Sequence, residues 1–224
     1  MMAKRKQKIK WSIEVAYVVG LLTTDGNLYR DGRHIDMTSK DIQLLNTFKK
    51  CLGLKTKIGF KTSGFSNKKY PRIQFGDVVF YRWLLKIGLM PNKTKIIGPL
   101  KIPDKYFFDF LRGHFDGDGS CYSYWDNRWD SSFMFYVKFY SASEKHILWL
   151  RDKIKKLAKI KGDLSKNGET PVYQLKYAKK ESKILISKMY YKENLPCLKR
   201  KYNKLKRILR IDENENKREL KGEC

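Results

Sequence analysis

Acidic residues are scarce in this sequence. Its 224 residues include 23 Asp and Glu against 49 Lys and Arg, a formal net charge of +26. Such an excess strains a compact fold by self-repulsion and points to a polyanionic partner, nucleic acid first. Cysteine is sparse too: Cys51, Cys121, Cys197 and Cys224 stand far apart with no C-x-x-C pair. That spacing excludes a zinc cluster and a disulfide scaffold and leaves reduced, mostly buried thiols. Three histidines, His34, His114 and His146, are too few for a histidine-rich metal site. No apolar run approaches the roughly 18–20 residues that span a bilayer. The basic stretch Met1 to Lys10 is not followed by the apolar region and cleavage site of a secretory signal. An intracellular protein is therefore expected, in a prokaryotic cytoplasm or an organelle. What is plentiful is core material, 42% hydrophobic and 14% aromatic residues, and this excludes disorder throughout.

The chain contains an internal repeat. Laying residues 15–29 over 108–122 places Gly20 on Gly113, Asp25 on Asp118, Gly26 on Gly119 and Tyr29 on Tyr122, a register of 93 residues. Apolar residues then follow at helical spacing in Ile42 to Leu54 and Lys145 to Ile160, where the offset has grown to 103. The second half therefore carries a longer turn around Trp125 to Ser132. The segment Leu89 to Lys95 resembles Leu195 to Lys201.

Each half reads helix, strand, strand, helix, strand, strand, helix, an α+β fold of two pseudo-symmetric αββαββα repeats. The repeats span 12–98 and 104–211, joined by a linker at 99–103, with basic or polar tails at 1–11 and 212–224. Helices are expected from the Ser12 cap to Thr24 and from Asp104 to Gly117, with third helices at Val78 to Ile87 and Ser182 to Tyr191. Asn27 to Tyr29 and His34 to Thr38 flank the turn dipeptide Asp31-Gly32. Residues 55–62 and 70–76 make a second hairpin around a loop at 63–67. The second half repeats this with 120–125 and 133–141, then 161–166 and 171–177 across Asn167-Gly168. The end, 212–224, is expected to be frayed.

Both first helices hold an interior glycine and finish on Asp-Gly: Gly20 to Gly26, and Gly113 to Gly119. An interior glycine costs up to about 1 kcal/mol against alanine and is tolerable where two backbones must approach closely. Aspartate at a helix C-terminus meets the negative end of the dipole, a disfavoured placement made here twice. Side by side, these helices would bring both carboxylates to one point, where a divalent cation relieves their repulsion. A calcium loop starting at Asp116 fails, because Cys121 and Asn127 occupy the positions that need glycine and an acid.

With these motifs the sequence resembles the LAGLIDADG homing endonucleases in their single-chain, two-repeat form. Phe110 to Gly119 is a close match to the second motif; Ala16 to Gly26 is a looser match to the first, with Thr23 and Thr24 where an acid and a small residue are common. The resemblance covers roughly residues 12–210. It implies motif helices paired through Gly20 and Gly113, and divalent metal (Mg2+ or Mn2+) held by Asp25 and Asp118 with the carbonyls of Thr24 and Gly117. It also implies hydrolysis of a phosphodiester on each strand, with Ca2+ supporting binding without cleavage. The accessory basic residue falls on Lys93 and Lys199. The polar residue near the attacking water falls on Ser39 and on Ala142, which has no side chain for the task, so water there is expected to be ordered through solvent or a neighbour such as Ser143. A splicing maturase or a non-cleaving DNA- or RNA-binding protein is the alternative on this scaffold. A ribosomal RNA binder would explain the charge but not the duplicated helix end. Splice-junction residues of an intein are missing around the ends, so a free-standing frame is expected.

Alternation along the strands places polar and aromatic residues on one face. In the first half these are Asn27, Tyr29, Arg30, Arg33, His34 and Asp36, then Lys57, Lys61, Asn67, Lys68, Arg72 and Gln74. In the second they are Ser120, Tyr122, Tyr124, Arg128, Lys138 and Tyr140, then Lys166, Asn167, Tyr173, Gln174 and Lys176. Strands of about ten residues span about 33 Å, close to one turn of B-DNA. Two halves then cover roughly 20 base pairs of double-stranded DNA, and the site is expected to be asymmetric because the halves differ. One chain contains both acids, so a monomer is expected, with no membrane partner. The basic clusters Lys4, Arg5, Lys6, Lys8 and Lys10, and Lys199 to Arg210, are further candidates for phosphate contact.

Overall fold

A computed structural model describes residues 8–63, 66–128, 132–166, 168 and 172–221. Helix α1 (Ile13–Thr24) is apolar on every side beyond its first turn, and a helix of that kind belongs in the interior. Residues 16–23 are all buried. The Ser12 hydroxyl accepts from Val15 N at 3.1 Å and caps its start. Its counterpart α4 (Phe107–Gly117) follows a 3-10 turn at Asp104–Tyr106. The two helices lie backbone to backbone. A Cβ on Gly20 would sit 2.2 Å from Phe110 O, and one on Gly113 would sit 2.0 Å from Tyr17 O. Only glycine fits either place.

Each helix leads into a four-stranded antiparallel sheet. The first has the order β1-β2-β4-β3, from β1 (Gly26–Leu28), β2 (His34–Thr38), β3 (Gly59–Ser63) and β4 (Ser66–Gly76). The second repeats it as β5-β6-β8-β7, from β5 (Ser120–Asp126), β6 (Ser132–Ser141), β7 (Asp163–Lys166) and β8 (Tyr173–Tyr177). Alternate residues of β6, Phe133, Phe135, Val137 and Phe139, are buried, and their neighbours face the other way. The apolar backs meet α2 (Ile42–Leu52) and α3 (Val78–Lys86) in one half, and α5 (Glu144–Ala158) and α6 (Lys179–Met189) in the other. No helix among the described residues is long and apolar enough to cross a membrane.

Several expectations are corrected. The strand read at 55–62 begins only at Gly59, so Lys57 lies before it. Strand β4 starts at Ser66, inside the expected loop. Gly64 and Phe65 lie outside the described residues, as do 129–131 of the longer turn and Asn167 of the 167–168 turn. Helix α6 begins three residues earlier than Ser182, at Lys179. The second helices align by burial at 102 residues and not 103: Leu44, Leu45, Phe48 and Leu52 correspond to His146, Ile147, Leu150 and Ile154.

The chain end departs furthest from the reading. Instead of fraying after residue 211, it continues as helix α7 (Lys199–Lys221). Leu205 and Ile208 are buried on it, and Asp212 is wholly buried, ion-paired at 2.7 Å with both Lys179 and Lys183 of α6. At the other end Trp11 packs edge-on against Trp83 with ring centres 4.8 Å apart, and it stacks on Tyr106. The segment just before α1 is thus docked on α3; Lys4, Arg5 and Lys6 lie outside the described residues.

Candidate active site and nucleic-acid interface

The paired helices end side by side, and their caps are Asp25 and Asp118. Each cap N–H closes its helix, Asp25 N on Leu21 O at 2.9 Å and Asp118 N on His114 O at 3.2 Å, leaving the carboxylates to project from the helix ends. A Cβ on Gly117 would lie 1.9 Å from Thr24 Oγ1 and 3.4 Å from Asp25 Oδ2. The first acid thus rests against the end of the opposite motif helix. Burial, then the charge of Asp118, lifts the Asp25 carboxyl to about 7 against the pull of Lys201 and Lys93. Burial raises Asp118 as well, opposed by the same two lysines. Two carboxyls that burial holds back from ionising, at adjoining helix ends, suit a bound cation.

Lysines face both helix ends. Lys93, buried in the 3-10 turn Lys93–Lys95, donates to Gly26 O. In the second half the equivalent is Lys201: its Nζ donates to the carbonyls of Phe115, Gly117 and Gly119 at 2.7, 2.9 and 2.6 Å. Burial lowers both ammonium groups while the acids oppose the shift. Lys199, the residue expected there, has an exposed side chain at the start of α7, and its backbone N–H donates to Gln43 Oε1 at 2.8 Å. The α7 helix begins at Lys199, and two further residues carry the chain round to the site. The Gly117 carbonyl already accepts from Lys201, so as a metal ligand it would share that oxygen.

Two clefts open beside the acids. One is lined by Asp118, Tyr140, Ser141, Ala142 and His146 of the second half, with Thr23, Thr24, Lys93 and Thr94 from the first. The other is lined by Asp25, Asn27, Asp36, Thr38, Lys61 and Tyr70. A serine stands just ahead of the second helix in each half. Ser39 Oγ accepts from Asp41 N at 3.1 Å and Ser141 Oγ accepts from Ser143 N at 3.0 Å, each just ahead of its second helix. Ser141, one residue before Ala142, is thus the counterpart of Ser39. Ser143 is turned away, buried and donating to Ile97 O.

The fit to a divalent cation can be judged from the donors. Asp25 and Asp118 supply hard carboxylate oxygens, with backbone carbonyls next to them, the ligand type of magnesium and manganese. Among the described residues no group of three or more His, Cys, Asp or Glu could enclose an ion. The remaining shell would come from water and from a phosphate, as is usual for magnesium.

The polar faces of the two sheets differ. On the first, Asp36 is buried and not presented to solvent. It accepts from Tyr29 Oη at 2.8 Å and pairs with Lys61 and Arg72 at 3.7 Å, so it orients three candidate contacts instead of making one. His34 is held by Asp31, leaving Arg30 and Arg33 exposed near the β1–β2 turn. Gln74 faces Asp36 across the β2–β4 ladder. Lys68 is exposed on β4, and the Asn67 side chain is outside the described residues. The second face carries a cluster of three nearly parallel rings: Tyr122, Tyr124 and Tyr136 have centres 5.0 to 6.2 Å from one another. Lys138 sits over Tyr122, Lys176 over Tyr136 and Lys166 over Tyr173. Ser120 and Tyr140 share a hydroxyl hydrogen bond of 3.0 Å, and Tyr140 pairs with Gln174 across the ladder. Arg128 is bound by Asp126 through two side-chain bonds of 2.9 and 2.8 Å at the hairpin end. Tyr136 was missed in the sequence, although it alternates with the chosen Lys138 and Tyr140.

Paired motif helices, two like-ordered sheets and acids at the helix ends define the two-repeat LAGLIDADG fold. Solved structures agree. The LAGLIDADG meganuclease I-AabMI bound to uncleaved DNA is similar with a TM-score of 0.63 at 12% identity, over 90% of this chain and 91% of that one. The I-LtrWI LAGLIDADG homing endonuclease bound to target DNA gives 0.57 at 14%, over 90% and 91%. The N-terminal LAGLIDADG domain of DUF199/WhiA gives 0.54 at 18%, over 88% of each chain. No family model and no curated protein matches the sequence.

Proposed function

We propose that this chain is a site-specific DNA endonuclease that cuts both strands of a long asymmetric duplex with Mg2+ or Mn2+. The observation that carries the reading is the pair of aspartates at the joined ends of α1 and α4, with the buried Lys93 and the half-buried Lys201 beside them. In this reading Asp25 and Asp118 hold the cations, and Lys93 and Lys201 steady negative charge developing at the phosphate. A bound divalent cation supplies an activated water and neutralises the phosphate oxygens. Ser141, which lines the cleft beside Asp118, and its counterpart Ser39 order solvent in this reading. The polar sheet faces bind about 20 base pairs. The DNA-bound similar structures support the partner, and a variant of I-DmoI in complex with its target DNA and in the presence of Mn supports the cation.

The deciding experiment selects cleavable sites from a randomised duplex library in magnesium, then compares variants on the selected site. Asp25→Asn and Asp118→Asn should each abolish double-strand cleavage while binding in calcium stays within a few-fold of wild type, because each removes a cation ligand and no base contact. Wild-type cutting by either variant would refute the site. The likeness to DUF199/WhiA, not itself called an endonuclease, supports a second reading as a non-cleaving nucleic-acid-binding protein. Tight binding with no cutting of any selected duplex would favour it.

A further inference from the structure

The lysine beside each acid is held in place by the opposite half of the molecule. Helix α7, which carries Lys201, starts after the short strap Pro196–Leu198, and side chains hold three of the strap's backbone groups. Pro196 O accepts from Arg112 Nε at 2.9 Å, and Leu198 N donates to the buried Asp116 at 2.6 Å. The third comes from α2 in the first half, where Gln43 Nε2 donates to Cys197 O at 2.9 Å, and Gln43 Oε1 also accepts from Lys199 N, the first residue of α7, at 2.8 Å. A helix leaves its first amides without internal partners, so Gln43 serves as a cap delivered across the repeat boundary. Thr47 Oγ1 accepts the second Gln43 amide hydrogen at 2.8 Å and fixes the side chain.

The converse contact is made from the first turn of α5. Ser143 Oγ donates to Ile97 O, and His146 Nδ1 donates to Gly98 O at 3.1 Å. Ile96 N and Ile97 N in turn bond to Lys93 O at 3.0 and 2.8 Å. The segment bearing Lys93 is therefore tied to the second half, as the segment bearing Lys201 is tied to the first.

We propose that Gln43 is a positioning residue that acts across the repeat boundary, capping α7 so that Lys201 stays at the carbonyls around Asp118, and that Ser143 and His146 do the same for Lys93. Loss of one clamp then disables one strand's chemistry and spares the other's. The strand-specific part rests on the endonuclease reading; the capping part does not.

Two measurements on the full chain separate them. In the first, amide exchange is compared between wild type and Gln43→Ala. The Lys199 amide should exchange about fivefold faster, as loss of a net hydrogen bond implies, while Ile96 and Ile97 stay protected and show that the fold survives. Unchanged exchange at Lys199 would overturn the cap. In the second, a supercoiled plasmid carrying the selected site is incubated in magnesium. Wild type should linearise it, whereas Gln43→Ala should accumulate circles nicked on one defined strand. Gln43→Glu, which keeps the acceptor for Lys199 N, should recover part of the second cut. Equal slowing on both strands would overturn strand-specific positioning. A wild type that cuts nothing would overturn the endonuclease reading, and the exchange result would still decide the cap.

Discussion

Lys199 and Lys201 differ in what their side chains touch, and that difference can be measured. Lys201 reaches three carbonyls around Asp118, whereas the Lys199 side chain is exposed. Lys201→Ala should lower the cleavage rate by about a hundredfold or more, the scale for removing a positioned donor. Lys199→Ala should stay within about twofold, because its role is played by its backbone; single-turnover rates on one duplex compare the two. Asp25 gives a pH prediction. Its carboxyl is held near 7 in the folded chain against an ordinary 3.8, so between those values the folded state binds more protons than the unfolded one. This contribution therefore makes stability fall as pH rises from about 4 to about 7. Without metal, Asp25→Asn should be the more stable protein at pH 7.5, by a few degrees in Tm, and the gap should close towards pH 5. Magnesium should stabilise wild type at pH 7.5 and do so less at pH 5. Thermal melts of both proteins in EDTA and in magnesium test each sign.

The joined helices make a sharper demand than any single polar contact. In an ordinary helix Gly→Ala gains up to about 1 kcal/mol. Here the added methyl would lie about 2 Å from a carbonyl oxygen of the facing helix at either glycine. Overpacking of this kind typically costs about 1–3 kcal/mol, which exceeds the gain. Gly20→Ala and Gly113→Ala should both lower the urea midpoint, and the Leu variants should lower it further. This element was legible in the sequence because the glycine and the Asp-Gly end occur twice in one register. Lys201 was not, because a short likeness between Leu89–Lys95 and Leu195–Lys201 could not tell where α7 starts. Ser141 was lost through a one-residue offset, which the burial of Leu44 and His146 corrects. The continuation of α7 was masked by charge: Leu205, Ile208 and Asp212 lie on its packed side, and an acid between two lysines of another helix leaves no trace in hydropathy. Asp36 looked like a base contact because alternation gives a residue's face and not its depth.

At the scale of the whole molecule, the net charge of +26 is borne by a fold that engages several of its own acids, as at Asp36, Asp126 and Asp212. Duplex binding should weaken steeply with salt, by about 0.9 in log–log slope for each phosphate neutralised, so ten contacts give about −9. Titrations from low to moderate salt check this. Because one chain joins both helices, sedimentation should find a monomer, free and on one duplex; a dimer of full chains on one duplex would contradict the internal pairing of α1 with α4. The crossed attachment of Gln43 to the strap before α7, and of Ser143 and His146 to residues 97–98, also bears on recombination. The natural cut for swapping halves, at 99–103, runs through no strand and looks harmless, yet a graft made there parts each lysine-bearing segment from the side chains that grip it. A chimera with a relative's second half inherits two mismatched seams, and co-transferring residues 41–47 with that half would repair one of them.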